Sequence, residues 1–355
     1  MELCERNWKE FFIAGDKGVF YISATASGID KNKLNMESGK VPYITRSNEM
    51  NGMNLFITDE QHSKWKMDSG NVITIGLDTQ TVFYQPHKFF TGQNIQVLKH
   101  EQINRDVAMF IISMLNVQMK KFNWGGNGAT LSRLCRTKMM LPVNESEEPD
   151  FGFMEQYIKE IEKEKTQKYF VYCKQRIAEL GDIVPLKSFS EIKWKPYRID
   201  KIADVDSGRD IYDAERIDGD TPYITASATN NGIKYYVDNT NATLEANAIS
   251  VNRNGSVGYS FYHKYKALYS NDCRKLKVKE NNSEYVALFI TNQIMQQRTK
   301  YSYGYKMGTG RLRRQYIQLP VNDLGKPDYE YMEQYIKNIM IKKYKSYITY
   351  TEKGL

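Results

Sequence analysis

Cysteine and histidine are both scarce in these 355 residues, with four of each. Cys4, Cys135, Cys173 and Cys273 are far apart and form no C-x-x-C pair. That spacing suits reduced thiols and gives neither a disulfide frame nor a zinc site. His62, His87, His100 and His263 fall in no metal-ligand or triad pattern. With so few imidazoles, acid–base chemistry near neutral pH has little to draw on. No apolar run is long enough to cross a bilayer, and no basic stretch leads into an apolar one near Met1. Neither a membrane span nor a secretory signal is therefore expected, and the expected location is cytoplasmic.

Catalytic signatures are missing as well. The chain has no N-P-P-[FY] or D-P-P-Y methyltransferase motif and no F-x-G-x-G cofactor loop. Gly125-Gly126-Asn127-Gly128 and Gly308-Thr309-Gly310 are glycine-rich but lack the spacing of a phosphate-binding P-loop. Pro149-Asp150 and Pro327-Asp328 resemble the start of a nuclease PD…(D/E)-x-K site, yet no E-x-K follows either. A helix cap accounts for both aspartates.

Two compositional biases remain. The net charge is +8, which favours a polyanionic partner as much as plain solubility. Tyrosine is abundant, at 26 residues, which points to a binding surface.

An internal repeat organises the chain. LPVNESEEPDFGFMEQYIKEI from Leu141 returns as LPVNDLGKPDYEYMEQYIKNI from Leu319, an offset of 178. VPYITRSNEMNGMNLFI from Val41 returns as TPYITASATNNGIKYYV from Thr221, an offset of 180. NVITIGLDTQTVFY from Asn71 resembles NAISVNRNGSVGYS from Asn247, and KFNWGGNGATLSRL from Lys121 resembles KYSYGYKMGTGRLR from Lys300. Trp8-Lys9 and Trp194-Lys195 open the two copies. A period this long is a duplicated domain rather than a solenoid repeat.

Each copy reads as short β segments with Gly and Asn turns, then a helix, an LPV strand and a terminal helix. The expected divisions are a first β-rich domain over 1–148, a helix over 149–182, a second domain over 183–326 and a second helix over 327–355. Asp150 and Asp328 stand at the N-cap positions. Met154, Tyr157, Ile158 and Ile161 form an i, i+3, i+4, i+7 stripe that Met332, Tyr335, Ile336 and Ile339 repeat. The first helix is expected to continue through its charged middle to Gly181. Some 30 residues make a rod of roughly 45 Å, longer than a domain of this size is wide. At least one end should then reach something else, and the stripe is assigned to partner docking, with packing on its own domain as the alternative.

This combination resembles the specificity subunits of type I and type IIB restriction-modification systems. The strongest matches are ERIDGDTPYITASATNNGIKYYVDN, NAISVNRNGSVGYSFYHK, YGYKMGTGRLRRQYIQLPVN and GKPDYEYMEQY in the second copy. In the first copy LDTQTVFYQP stands where NRNGSVGYSF would. The resemblance implies an α+β protein with two pseudo-twofold-related target-recognition domains separated by two long antiparallel helices. Each domain would read one half of a bipartite, asymmetric site in double-stranded DNA. Modification subunits would dock on the helices, bringing S-adenosylmethionine, magnesium and adenine-N6 methylation. Cleavage would come from a restriction subunit or a fused domain. The chain itself would carry no cofactor, metal or catalytic residue.

Candidate DNA contacts lie in the turns, where a rigid scaffold carries readout. In the first copy they are Arg46, Asn48, Asn51, Lys121, Trp124, Arg133 and Arg136. In the second they are Asn230, Asn231, Lys234, Asn252, Arg253, Asn254, Ser256, Lys300, Tyr303, Lys306, Arg311, Arg313 and Arg314. Asn can pair bidentately with adenine and Arg with guanine. The asparagines are equally ordinary turn formers, whereas a turn has no need of Arg253. Arg133, Arg136, Arg311, Arg313 and Arg314 are expected to clamp phosphates, which positions a duplex without specifying it. Rival readings are an enzyme that cuts or methylates DNA by itself and a decoy that captures modification subunits without reading DNA.

Overall fold

The computed structural model describes residues 2–123, 125–302 and 304–354, so the candidates Trp124 and Tyr303 lie outside the described residues. Packing divides the chain into Met1–Lys168 and Tyr169–Leu355, parting inside the long helix.

The first unit begins with β1 (Trp8–Ala14), β2 (Gly18–Ala24), β3 (Ser38–Ile44) and β4 (Met53–Ile57). It continues with β5 (Val72–Gly76), β6 (Val82–Gln85), β7 (Phe90–Thr91) and β8 (Ile95–Lys99). Then come α1 (Arg105–Met119), a short α2 (Leu131–Leu134), β9 (Lys138–Pro142) and α3 (Phe151–Leu180). A six-stranded sheet runs β6-β5-β8-β2-β1-β9, and a smaller one runs β4-β3-β7. The LPV segment is thereby the edge strand β9, paired with the opening strand from Trp8↔Pro142 to Phe12↔Lys138. All five residues of β5, VITIG, are buried, as an unalternating apolar strand demands. Asn104 caps α1 by accepting from the amides of Asp106 and Val107. The inward face of α1, with Val107, Phe110, Ile111 and Leu115, joins Ile13, Phe20, Ile73, Ile75 and Leu98 in one core.

The second unit repeats this plan. It holds β10 (Trp194–Arg198), a helical turn α4 (Ile199–Ile202), β11 (Ala203–Ser207), β12 (Asp218–Ile224) and β13 (Ile233–Val237). It goes on with β14 (Ala248–Asn252), β15 (Ser260–His263), β16 (Leu268–Tyr269) and β17 (Cys273–Val278). It ends with α5 (Glu284–Met295), α6 (Thr309–Arg314), β18 (Tyr316–Pro320) and α7 (Tyr329–Gly354). The small sheets β4-β3-β7 and β13-β12-β16 agree bulge for bulge: Val41↔Ile57 and Tyr43↔Leu55 answer Thr221↔Val237 and Tyr223↔Tyr235. The larger sheet differs. Here it is split into β15-β14-β17-β11 and β10-β18, because α4 interrupts the path that β1 follows unbroken. Pro196, which has no amide proton to give, is tolerated in the two-stranded piece.

The terminal helices start where expected. Asp150 accepts from the Phe153 amide at 2.8 Å and Asp328 from the Tyr331 amide at 3.0 Å. α3 ends at Gly181, which takes φ +78°. Within the second unit, residues 169–180 of α3 run antiparallel along α7. Tyr169 meets Tyr347 at 4.6 Å between ring centroids, and Tyr172 meets Tyr344 at 6.0 Å. Cys173 is fully buried in that seam.

The docking assignment of the helix stripe needs correction. Met154 is wholly buried, and Tyr157 and Ile158 pack on the first unit's own core. Met332, Tyr335 and Ile336 do the same in the second unit. The apolar periodicity serves intramolecular packing: Met154 and Met332 are buried, the stripe residues between are half-buried, and Ile339 is 37% exposed. Part of the α7 face is also covered by the segment 183–189. Asn338 accepts from the Val184 amide at 3.1 Å and donates to its carbonyl at 2.7 Å, and Tyr331 donates to the Lys187 carbonyl.

Candidate nucleic-acid interface

In both units the polar turns gather at one end of the larger sheet. The first is the bend between β3 and β4, and its counterpart lies between β12 and β13. Three successive residues adopt left-handed backbone there: Met50, Asn51 and Gly52 at φ 48°, 59° and 76°, and Asn230, Asn231 and Gly232 at 50°, 56° and 74°. Such a run favours Asn and Gly. It is closed by the Thr45 amide on the Gly52 carbonyl and by the Thr225 amide on the Gly232 carbonyl. Asn51 donates to the Tyr84 carbonyl at 2.7 Å, and Asn231 hydrogen-bonds the Tyr265 hydroxyl. These two asparagines have a structural occupation although they are exposed, as Asn48 and Asn230 also are. Lys234 is exposed beside Tyr235. The Tyr235 phenol is held below its usual range by hydrogen bonds from Lys234 and Arg216.

The second turn joins β5 to β6 over residues 77–81 and β14 to β15 over 253–259, two residues longer in the second unit. One expectation fails at its base. Asn252 is fully buried, donates to the Ser227 carbonyl at 2.8 Å and accepts from the Cys273 thiol. It ties the end of β14 to the neighbouring bend and offers nothing to a base. The matching residue in the first unit is Gly76, where a Cβ would lie 2.5 Å from the Thr79 hydroxyl. Arg253 and Asn254 both donate to the Asp272 carboxylate at 3.2 Å. In the first unit Arg46, from the β3–β4 bend, pairs with Asp78, and Asn94 donates to the same carboxylate at 3.3 Å. Ser256 is anchored through its amide to the Ala226 carbonyl at 3.3 Å.

The third element follows α1 or α5. Arg133 donates to the carbonyls of Gly128 and Gly126, and Arg311 to that of Lys306, both reaching five residues back in the first case named and in the last. The two guanidinium groups therefore hold the preceding loop, with Arg311 also stacked 4.0 Å over Tyr305. Arg313 donates to the Val205 carbonyl, and Arg136 to that of Ser132. Loop bracing by these arginines is an internal duty that the basic motif does not announce. Lys121, Lys300 and Arg314 are exposed, and Lys306 is half-buried. A hollow of about 280 Å³ opens between 255–259 and 298–302. In the same turn Gly258 takes φ +78°, and a Cβ there would come within 2.7 Å of Arg298. Arg298 stacks 3.9 Å over Tyr259. Asp78, Asn94, Asp272, Arg216 and Arg298 went unnoticed in sequence, because only the folded pairing of distant turns gives them meaning.

His263 is fully buried, with Nε2 2.8 Å from the Ser250 hydroxyl, and burial pushes its imidazole down to about 4. No group of three or more His, Cys, Asp or Glu able to hold a metal occurs among the described residues. Among them, too, no helix is long and apolar enough to cross a membrane.

Comparison with known proteins agrees with this layout. The family profile described as the type I restriction modification DNA specificity domain matches residues 5–168 and again 191–348. The specificity subunit S.BcgI of a type II restriction enzyme from Heyndrickxia coagulans is 36% identical over 312 residues, covering 87% of this chain and 88% of that protein. The type I restriction-modification S subunit from M. genitalium superposes with a TM-score of 0.50 at 14% identity, covering 99% of this chain and 94% of that one. A match over both copies, together with a relative aligned over most of its length, places this chain in the family of type I restriction-modification DNA specificity domains, of which it carries two.

Proposed function

We propose that this chain is the non-catalytic, DNA-reading subunit of a restriction-modification complex, in which each unit reads one half of a bipartite, asymmetric site. Adenine-N6 methyltransferase subunits, carrying S-adenosylmethionine and magnesium, would dock along its helices. One observation carries the reading. The two units share one hairpin with the same bulges and the same left-handed bend, yet they arrange different side chains in the turns at the end of the larger sheet. Arg46, Asp78 and Asn94 stand in one, and Arg253, Asn254 and Asp272 in the other. Constant scaffold with variable turns is what two readers of different half-sites require.

The test is binding by the full chain reconstituted with its modification subunits, over a range of salt. The expected result is selective binding of one duplex sequence, with affinity falling steeply as salt rises because counterions are released from the phosphates. Equal binding to all sequences would refute selective reading.

A further inference from the structure

At the tip of the larger sheet the two units carry the same three chemical groups in exchanged positions. The backbone fixes the correspondence. The Leu77 amide donates to the Asn94 carbonyl at 2.9 Å, and the Arg253 amide donates to the Asp272 carbonyl at 2.8 Å. Leu77 therefore answers Arg253, Asn94 answers Asp272, and the next residue, Asp78, answers Asn254. In the first unit the carboxylate is on the hairpin and the amide on the facing turn. In the second the carboxylate is on the facing turn and the amide on the hairpin. The hydrogen bond between them survives the exchange, from Asn94 to Asp78 at 3.3 Å and from Asn254 to Asp272 at 3.2 Å. An arginine completes each set from a different place: Arg46 from the β3–β4 bend, Arg253 from the β14–β15 hairpin itself.

We infer that each unit reads a guanine with an arginine held in place by an aspartate, Arg46 by Asp78 and Arg253 by Asp272. The inference rests on the DNA-reading role proposed above. Both arginines keep part of their side chain in solvent, 41% for Arg46 and 28% for Arg253, so a donor edge is available. A guanidinium is the donor group suited to the two acceptors of guanine in the major groove. Fixing it by a second side chain removes rotamer freedom before the base arrives. The carboxylate also argues against a phosphate as the target. An anionic phosphate brought onto either guanidinium would approach Asp78 or Asp272 as a like charge, whereas the guanine edge is neutral.

The second unit shows how the buttress itself is held. Arg274 is 4% exposed and donates to the carbonyls of Asn271 and Cys273, which flank Asp272. Within the set, Nε of Arg253 and Oδ1 of Asn254 are enclosed and unpartnered, an internal cost of the sort functional sites retain. Gln96 occupies the strand register of Arg274 in the first unit: Gln96 is paired with Ile75, and Arg274 with Val251. Its Oε1 is likewise buried without a partner.

The experiment is selection of bound duplexes from a randomised library by the full chain in complex with its modification subunits. Wild type is compared with Arg253→Ala, Arg46→Ala and Asp272→Asn. Arg253→Ala is expected to relax one guanine position in one half-site by about ten- to a hundredfold and to leave the other half-site unchanged. Arg46→Ala should relax one position in the opposite half-site. Asp272→Asn keeps the arginine but loosens it, so the same position as in Arg253→Ala should weaken by a smaller factor. The undisturbed half-site reports that each variant is folded and assembled. Unchanged preference at every position, or a uniform loss over all positions with a shallower salt dependence, would overturn the inference and mark these arginines as bystanders or phosphate contacts. Absence of any selected sequence with wild type would instead refute the DNA-reading function itself.

Discussion

Acidification should loosen the second unit through a single imidazole. His263 has no exposed surface, lies 2.8 Å from the Ser250 hydroxyl and faces Tyr265 and Tyr269 edge-on. Burial lowers its folded value from 6.5 to about 4. The unfolded chain therefore binds a proton at a higher pH than the folded one does. Its contribution is fully present above pH 6.5 and is lost as pH falls toward 4, the direction opposite to that of a histidine with a carboxylate partner. Linkage over that gap gives a loss of about 2 kcal/mol by pH 5 and about 3 kcal/mol by pH 4. Urea unfolding at pH 7 and pH 5, followed by hydrogen exchange in the strands β14 and β17, measures it. His263→Gln should lower stability at pH 7 but remove most of the further loss at pH 5. An equal pH 7-to-5 loss in wild type and variant would show that this imidazole is not what titrates.

Three other outcomes are expected. Asn252→Ala should cost about 1–3 kcal/mol by stranding the Ser227 carbonyl, with base preference unchanged in library selection; an altered preference would return Asn252 to the reading surface. Gly258→Ala should cost at least about 1 kcal/mol in thermal unfolding, since alanine must adopt φ +78° against Arg298. Removal of seven residues from 159–175 should change or abolish the selected spacing between half-sites, as read by library selection, because the rod loses about 10 Å. An unchanged spacing would mean that α3 does not set it.

The repeat exposed the element order of both units because equivalent strands and helices recur at a nearly fixed offset. The helix caps at Asp150 and Asp328 and the stop at Gly181 were legible for a local reason: capping chemistry acts within a few residues. Three features were not. The pairing of Trp8 with Pro142 depends on contacts more than a hundred residues apart. The interruption of the second sheet at Ile199–Ile202 is a helical turn of four residues, too short to leave a periodic signal. The role of a polar side chain in a turn depends on what lies opposite. Asn252 reads like Asn254 in sequence, yet one is buried under Ser227 and the other faces Asp272. The stripe on α3 and α7 was correctly periodic, but periodicity identifies an apolar face without saying which surface it covers.

As proposed, this chain chooses a two-part DNA sequence for its partners. The most direct measurement is single-molecule mapping of methylated adenines in a host that expresses the chain together with its modification subunits, against a host that expresses the subunits alone. The expected result is one asymmetric motif of two short halves around unread base pairs, present only when the chain is present. Methylation that is independent of the chain, or confined to a single uninterrupted motif, would contradict it.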